Sequence, residues 1–158
     1  MRIVFALCLL LAAIPADARR ADPVENAFAR VDRLIEKEDY TRARDELDEL
    51  QAGLKAEDPR QVRYHERTGA VWLREGDIPQ ARASFAAALK AAQRLKVTGD
   101  IVGKAYAGMG LCLRGESNDR YALRFFRKAL EHKLDEGTRM FVDDQIREIE
   151  GAPPLPAR

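Results

Sequence analysis

The fold of this chain follows from residues 68–89, TGAVWLREGDIPQARASFAAAL. The turn Gly76-Asp77-Ile78 separates two segments whose apolar residues recur every three or four positions, as they do on one face of an α-helix. Gly69 in the first segment and Ala81 in the second leave no bulk where the two helices cross, so their backbones can approach closely. We therefore predict an antiparallel helix hairpin in which Gly69 lies opposite Ala81.

This pattern occurs three times along the chain. A second match follows 41 residues later without a gap, and a weaker match lies 38 residues earlier. The residues that carry the packing pattern are Gly69, Trp72, Ala81, Phe85 and Ala88, then Gly110, Ala122, Phe126 and Ala129. An alternative alignment of the third repeat uses Gly108 and Gly115 and requires a two-residue insertion. Because one hairpin cannot bury both of its faces, three should stack into a short solenoid.

Helix start signals mark the other elements. Capping residues are expected at Asp22, Asp39, Asp58, Asp77, Asp100 and Asn118 or Asp119. Proline follows Asp22 and Asp58, and proline is well tolerated in the first turn of a helix. No segment alternates apolar and polar residues with a period of two, so no strand is predicted. The predicted helices are 23–37, 40–54, 59–75, 78–95, 100–115, 119–133 and 138–150.

Residues 24–133 resemble the tetratricopeptide repeat, in a longer-helix variety with a period near 40 residues. The resemblance rests on Gly69 and Trp72 in the first helix and on Ala81 and Phe85 in the second. It implies an all-α fold, a short α-solenoid of three antiparallel helix hairpins. The expected repeats are about 24–57, 62–98 and 103–136.

The last predicted helix, about 138–150, should cap the third hairpin. Its apolar residues on one side are Phe141, Val142, Ile146 and Ile149. The chain then divides into a signal peptide at 1–18, one repeat domain at 23–150 and a Pro-rich tail at 151–158.

Residues 1–18 are predicted to be a secretory signal peptide. Arg2 precedes an apolar run of twelve residues, which is too short to cross a hydrocarbon core of about 30 Å. Ala16-Asp17-Ala18 then places small residues three positions and one position before a cut. Cleavage leaves a chain that begins at Arg19, has no integral membrane span and lies in the periplasm or outside the cell. A buried N-terminal helix or an uncleaved anchor is the alternative.

The composition and motifs narrow the classes of function. The chain carries 27 basic and 26 acidic residues, a net charge of +1, which argues against nucleic acid as a partner. Hydrophobic residues make up 46% and charged residues 34%, as is typical of a folded domain. The sequence has no Gly-x-Ser-x-Gly elbow, no metal-ligand spacing and no phosphate-binding loop. We therefore expect no enzyme activity, no cofactor and no metal.

Three reactive side chains have structural explanations. His65 should be a partly buried packing residue, because it lies one turn before Gly69. His132 should interact with the C-terminal dipole of its helix. Cys112, the one cysteine after residue 18, lies among apolar residues and should be a small buried side chain.

The inner wall, formed by the first helices of the stacked hairpins, is the predicted binding surface. Its candidate residues are Arg63, Glu66, Ala70, Arg74, Lys104, Leu111 and Arg114. Four of them are cations, so we expect a positive patch that Glu66 partly offsets. Some tetratricopeptide proteins bind a C-terminal carboxylate with asparagines, but Ala70 and Leu111 stand at those positions, so that clamp is not expected. Ordinary solvation of the charges is the alternative.

These features together predict a non-enzymatic protein–protein interaction module, a scaffold or adaptor of the cell envelope. Its concave groove would bind a segment of another protein, and the four cations favour an acidic or C-terminal segment. The alternative is a structural or self-assembling subunit of an envelope complex. In that case the outer edge of the first hairpin, which has no cap, packs on another copy of the chain.

Overall fold

A computed structural model describes residues 22–151, which form seven α-helices and no strand. The signal peptide predicted at 1–18 and residues 152–158 of the predicted tail lie outside the described residues. The helices are α1 Pro23–Glu36, α2 Tyr40–Gly53, α3 Gln61–Glu75, α4 Ile78–Leu95, α5 Asp100–Gly115, α6 Asp119–Leu130 and α7 Glu136–Glu150. The all-α prediction is confirmed for this part of the chain.

Neighbouring helices pack on each other in chain order, and α3 also packs on α5. The hairpins α1–α2, α3–α4 and α5–α6 therefore stack into a short α-solenoid. Helix α7 packs on α6 and closes the last hairpin. The order of contacts is that expected for a linear repeat array, in which each unit touches only its neighbours.

Aspartates set several helix starts, as predicted. The carboxylates of Asp22, Asp39 and Asp77 accept a hydrogen bond from a first-turn backbone N–H of α1, α2 and α4, at 2.9, 3.3 and 3.1 Å. Each bond satisfies one of the amide groups that a helix leaves unpaired at its start. Asn118 precedes α6 but makes no capping bond through its side chain.

Two of the predicted capping residues, Asp58 and Asp100, do not cap their helices. Helix α3 begins at Gln61 instead of 59, because Asp58 accepts hydrogen bonds from the backbone and the guanidinium of Arg60 and closes a turn before the helix. Asp100 does not cap α5. It is the first helical residue, and Gly99, with a φ of 96°, occupies the capping position.

The junction between α6 and α7 also differs from the prediction. Helix α6 ends at Leu130 rather than 133, and α7 begins at Glu136 rather than 138. Asp135 caps α7 by accepting a hydrogen bond from the backbone N–H of Thr138 at 2.9 Å. That bond lowers the pKa of the Asp135 carboxyl well below its usual range, and hydrogen bonding to Lys104 contributes to the shift.

The second-helix positions of the repeat pattern form the core of the stack. Equivalent second-helix positions are buried in every hairpin, and they are Ala43, Ala81 and Ala122, then Leu47, Phe85 and Phe126, then Leu50, Ala88 and Ala129. Trp72 is partly buried against the same core. Burying these apolar surfaces is the main source of stability in the stack, at about 25 cal/mol per Å².

The ring of Phe85 lies between two glycines. A Cβ atom added to Gly69 of α3 would stand 2.9 Å from Cδ1 of Phe85, and one added to Gly108 of α5 would stand even closer to the same ring. Gly69 therefore faces the ring of Phe85, which lies one helical turn along α4 from Ala81. Phe85 joins its own hairpin to the next one.

Gly110 identifies the register of the third repeat. A Cβ atom there would lie 2.6 Å from Cε1 of Phe126, which repeats the relation of Gly69 to Phe85. The gapless register is therefore the one found in the structure. Gly108, which the other register used, instead faces Phe85 of the preceding hairpin.

Helix α7 uses a narrower apolar face than predicted. Val142 is fully buried, and Ile146 and Ile149 pack partly buried against the same cluster. These residues are four and three positions apart, so they share one helix face. Phe141 points elsewhere and is 43% exposed, which corrects its predicted place on the packed side.

Candidate functional site

The inner wall is the side of α3 and α5 where the predicted groove residues lie. Because α3 packs on α5, the structure brings Ala70 and Leu111 onto adjacent helices at the centre of this wall. Both side chains are partly buried, each against an apolar core cluster. The charged groove residues extend from them along the two helices.

Arg63 is bound to the first hairpin. Its guanidinium lies 2.8 Å from a carboxylate oxygen of Glu25 and 3.0 Å from one of Asp32. The same group lies over the ring of Phe28, 4.4 Å from the ring centroid, within the range of a cation–π contact. The charge of Arg63 is therefore balanced within the protein.

Lys104 and Arg114 are also paired. Lys104 Nζ lies 2.8 Å from Asp100 and 2.9 Å from Asp135. Burial lowers the pKa of Lys104, but hydrogen bonds to both carboxylates outweigh burial and leave that pKa above its usual value. Arg114 lies 2.8 Å from a carboxylate oxygen of Glu148 on α7. Both cations thus connect α5 to the capping end of the solenoid.

Arg74 differs from the other three cations. It is exposed near the end of α3 and has no ion pair among the described residues. The positive patch of four cations predicted from the sequence is therefore wrong, because three of them are neutralised by carboxylates within the chain. Arg63 and Arg114 reach carboxylates of other helices, at sequence separations that helix periodicity does not report.

Glu66 does not lie on the exposed wall. It is 5% exposed and forms an ion pair with Arg67, which also lies 2.5 Å from Asp32. Burial raises the pKa of the Glu66 carboxyl, and the nearby Arg67 guanidinium acts in the opposite direction. Glu66 is buried because it shares one helix face with Val62 and Gly69.

The Glu66–Arg67–Asp32 cluster is the charged group that the sequence reasoning missed. In the gapless register, Glu66 and Arg67 correspond to Ala107 and Gly108 of the next hairpin. One repeat has small residues at these two positions, and the other has a charged pair. This difference between the repeats is the sign of the cluster that the sequence contains. The cluster links α1 to α3 by ion pairs where the next hairpin uses apolar packing.

His65 and Cys112 are packed in the protein interior, as predicted, whereas His132 stacks on an aromatic ring beyond the end of its helix. His65 is partly buried beside Tyr64, and burial and the charge of Arg94 lower its pKa. His132 lies beyond the end of α6 and stacks on Tyr106, with ring centroids 5.4 Å apart. Cys112 is fully buried, and burial raises the pKa of its thiol to about 11. A thiol with that pKa is a poor nucleophile at neutral pH.

The outer edge of the first hairpin is charged. A cleft of about 390 Å³ between α1 and α2 is lined by Arg30, Arg33, Leu34, Lys37, Arg42, Asp45, Glu46 and Glu49. Arg30 and Glu46 form an ion pair across it at 2.8 Å. Terminal repeats with a polar outer face keep a solenoid soluble, so this edge has the character of a cap.

No cluster of three or more metal-ligating side chains occurs in residues 22–151. Within the same range, no helix has the length and apolar character needed to span a membrane. Comparison with protein-family models, with curated proteins and with solved structures finds no match for the chain. The resemblance to the tetratricopeptide repeat stays a prediction from the residues.

Proposed function

We propose that this protein is a non-enzymatic, tetratricopeptide-like interaction module that binds a segment of another protein on its inner wall. The observation that supports the proposal is the group formed by Ala70, Leu111 and Arg74. Two partly exposed apolar side chains lie on adjacent helices, near a cation that no carboxylate of the described chain neutralises. Such a surface suits a segment with an apolar side chain and a carboxylate.

Arg74→Glu is expected to weaken binding of that segment several-fold at low salt, mainly through slower association. The effect should shrink at higher salt, because screening weakens contacts between exposed charges. Binding kinetics would be measured with the partner recovered by crosslinking in intact cell envelopes. Arg114→Glu is a poor probe, because it would also break the ion pair with Glu148.

Arg120→Glu provides the matched control for this test. Arg120 is exposed on α6 and has no ion pair among the described residues, so the substitution changes net charge equally at another place. Equal weakening by both variants, or none by Arg74→Glu, would show that the partner binds away from the inner wall.

We propose further that the protein is exported to the periplasm or the cell exterior and loses residues 1–18. The sequence supports this through the apolar run at 3–14 and the small residues at Ala16 and Ala18. Export also fits a chain with one remaining cysteine, since an oxidising compartment then forms no internal disulfide.

The exported protein is expected to begin at Arg19. N-terminal sequencing and mass determination of the protein recovered outside the cytoplasm would check this, against 17.8 kDa for the full chain. Ala18→Arg should block the cut, because a signal peptidase requires a small residue there. Export with Met1 retained in the unsubstituted protein would contradict the proposal.

A further inference from the structure

A second groove, here called the outer groove, runs between α4 and α6 on the side of the solenoid away from the inner wall. Helix α5 packs on both helices and forms its floor. Three adjoining cavities of about 520, 430 and 390 Å³ follow this line. Tyr106 lines the first and second cavities, and Tyr121 and Phe125 line the second and third, so the cavities form one continuous groove.

The second and third cavities of the outer groove are apolar and aromatic. Tyr106, Met109 and Leu113 form much of its floor, and Tyr121 and Phe125 form one wall. Tyr121 is 49% exposed and is one of few large hydrophobic side chains exposed in residues 22–151. Contiguous exposed apolar surface in a soluble domain marks a site of interaction.

This character does not follow from the repeat itself. The corresponding groove one repeat earlier, between α2 and α4, has polar residues at four of the five equivalent positions and Trp72 at the fifth, that of Leu113. The equivalent pairs are Tyr106 and His65, Met109 and Thr68, Tyr121 and Gln80, and Phe125 and Ser84. In that earlier groove, the guanidinium of Arg44 lies 4.8 Å from the ring centroid of Trp72. The apolar lining is therefore a particular feature of the α4–α6 groove.

The charges around the outer groove have one sign. Arg82 and Lys90 on α4 and Arg124 and Lys128 on α6 line the cavities, and no aspartate or glutamate does. Arg82 and Lys128 form exposed ion pairs with glutamates. Lys90 and Arg124 have no carboxylate partner in the described part of the chain, and Arg124 lies over the ring of Tyr121.

We propose that the outer groove binds an amphipathic segment of a partner protein whose apolar side chains are flanked by aspartate or glutamate. The apolar side chains would lie on Tyr106, Tyr121 and Phe125, and the carboxylates would meet Lys90 and Arg124. This arrangement matches the recognition of an amphipathic helix in a hydrophobic groove. The site is separate from the inner wall, so it does not depend on the function proposed above.

Two other occupants fit the groove less well. The segment 152–158, APPLPAR, contains no aspartate or glutamate and does not complement a basic rim. The acidic face of α2 in a second copy of the chain offers Asp45, Asp48 and Glu49, but the adjacent Leu47 and Leu50 are buried in its own core. A partner segment with both apolar and acidic residues satisfies both features of the groove.

The test is a selection of random 16-residue peptides displayed on phage against the protein, followed by affinity measurements on synthetic copies of the selected peptides. We expect the selected peptides to combine leucine or aromatic residues with aspartate or glutamate. Tyr121→Gln with Phe125→Ser gives this groove the residues of its polar counterpart and should weaken binding at least tenfold. Gln80→Ala with Ser84→Ala in the α2–α4 groove is the matched control and should leave the affinity within twofold.

Several outcomes would overturn the proposal. These are the absence of selected peptides, selected peptides without acidic residues, or an affinity that the Tyr121 and Phe125 substitutions leave unchanged. A tenfold gain in affinity on deletion of residues 152–158 would assign the groove to the tail instead. Circular dichroism checks folding, and Tyr121→Gln alone serves if the double variant unfolds. Arg74→Glu should not alter the peptide affinity, which separates this test from that of the inner wall.

Discussion

Replacing Gly108 by leucine is expected to lower the free energy of unfolding by about 3 kcal/mol or more, or to prevent folding. A Cβ atom at this position would lie closer to the Phe85 ring than real Cβ contacts come. Phe85 is 2% exposed and packs between two hairpins, so its ring has little room to move. Overpacking here would separate the second hairpin from the third. Urea unfolding followed by circular dichroism measures the loss.

Gly69→Leu should be destabilising by a smaller amount, about 1–3 kcal/mol. The clash at Gly69 is less severe, with a Cβ to Cδ1 distance of 2.9 Å to Phe85. Gly53→Ala is the matched control, because it lies at the end of α2 with nothing within 4 Å of the added atom. That change should be neutral or stabilise by up to about 1 kcal/mol through helix propensity.

A second substitution separates overpacking from a general intolerance of side chains at Gly108. Gly108→Ala combined with Phe85→Leu should cost less than the sum of the two single changes, because the smaller leucine makes room for the added methyl group. A double-mutant cycle measures this coupling, which is expected at about 0.5–3 kcal/mol. Strict additivity would show that the contact between Phe85 and Gly108 does not limit the packing.

The helices and most of the core were predictable from local sequence. Capping aspartates such as Asp77 fix helix starts through bonds to residues two or three positions away, and apolar spacing identifies the buried face. The second-helix positions of Ala81 and Phe85 are buried in all three hairpins because each repeat meets the same neighbours. The contact of Phe85 with Gly108 was not predictable in this way, because it joins two repeats.

The charged groups of the inner wall were harder to predict. Arg63 finds its carboxylates 38 and 31 residues away, and only the stacking of hairpins brings them together. Glu66 is predicted on the exposed side, off the packing face of α3, but it is buried. Its spacing from Val62 and Gly69 indicates a buried position, and Arg67 is the partner that permits the burial of its charge.

Arg67→Met is expected to lower the free energy of unfolding by about 3–5 kcal/mol at pH 7, because it leaves the Glu66 carboxylate buried without its partner. Adding Glu66→Gln should restore most of the loss, since the double variant buries no unpaired charge at position 66. The matched control is Arg82→Met, whose ion pair with Glu116 is exposed and should contribute about 0–1 kcal/mol. An equal loss in both single variants would contradict the importance of burial.

The pH dependence of this loss tests its cause. Burial raises the pKa of Glu66 above its ordinary value of 4.5, so the folded protein takes up a proton more readily than the unfolded chain. The ionised carboxylate therefore reduces stability as pH rises from about 4.5 through the raised pKa, and below that range the penalty is absent. Arg67 lowers this pKa, so its removal should widen the affected pH range.

The stability difference between Arg67→Met and the unsubstituted protein should consequently be smaller at pH 4.5 than at pH 7, as measured by urea unfolding at both values. If the difference did not change with pH, lost packing of the arginine side chain, and not the stranded charge of Glu66, would account for the destabilisation.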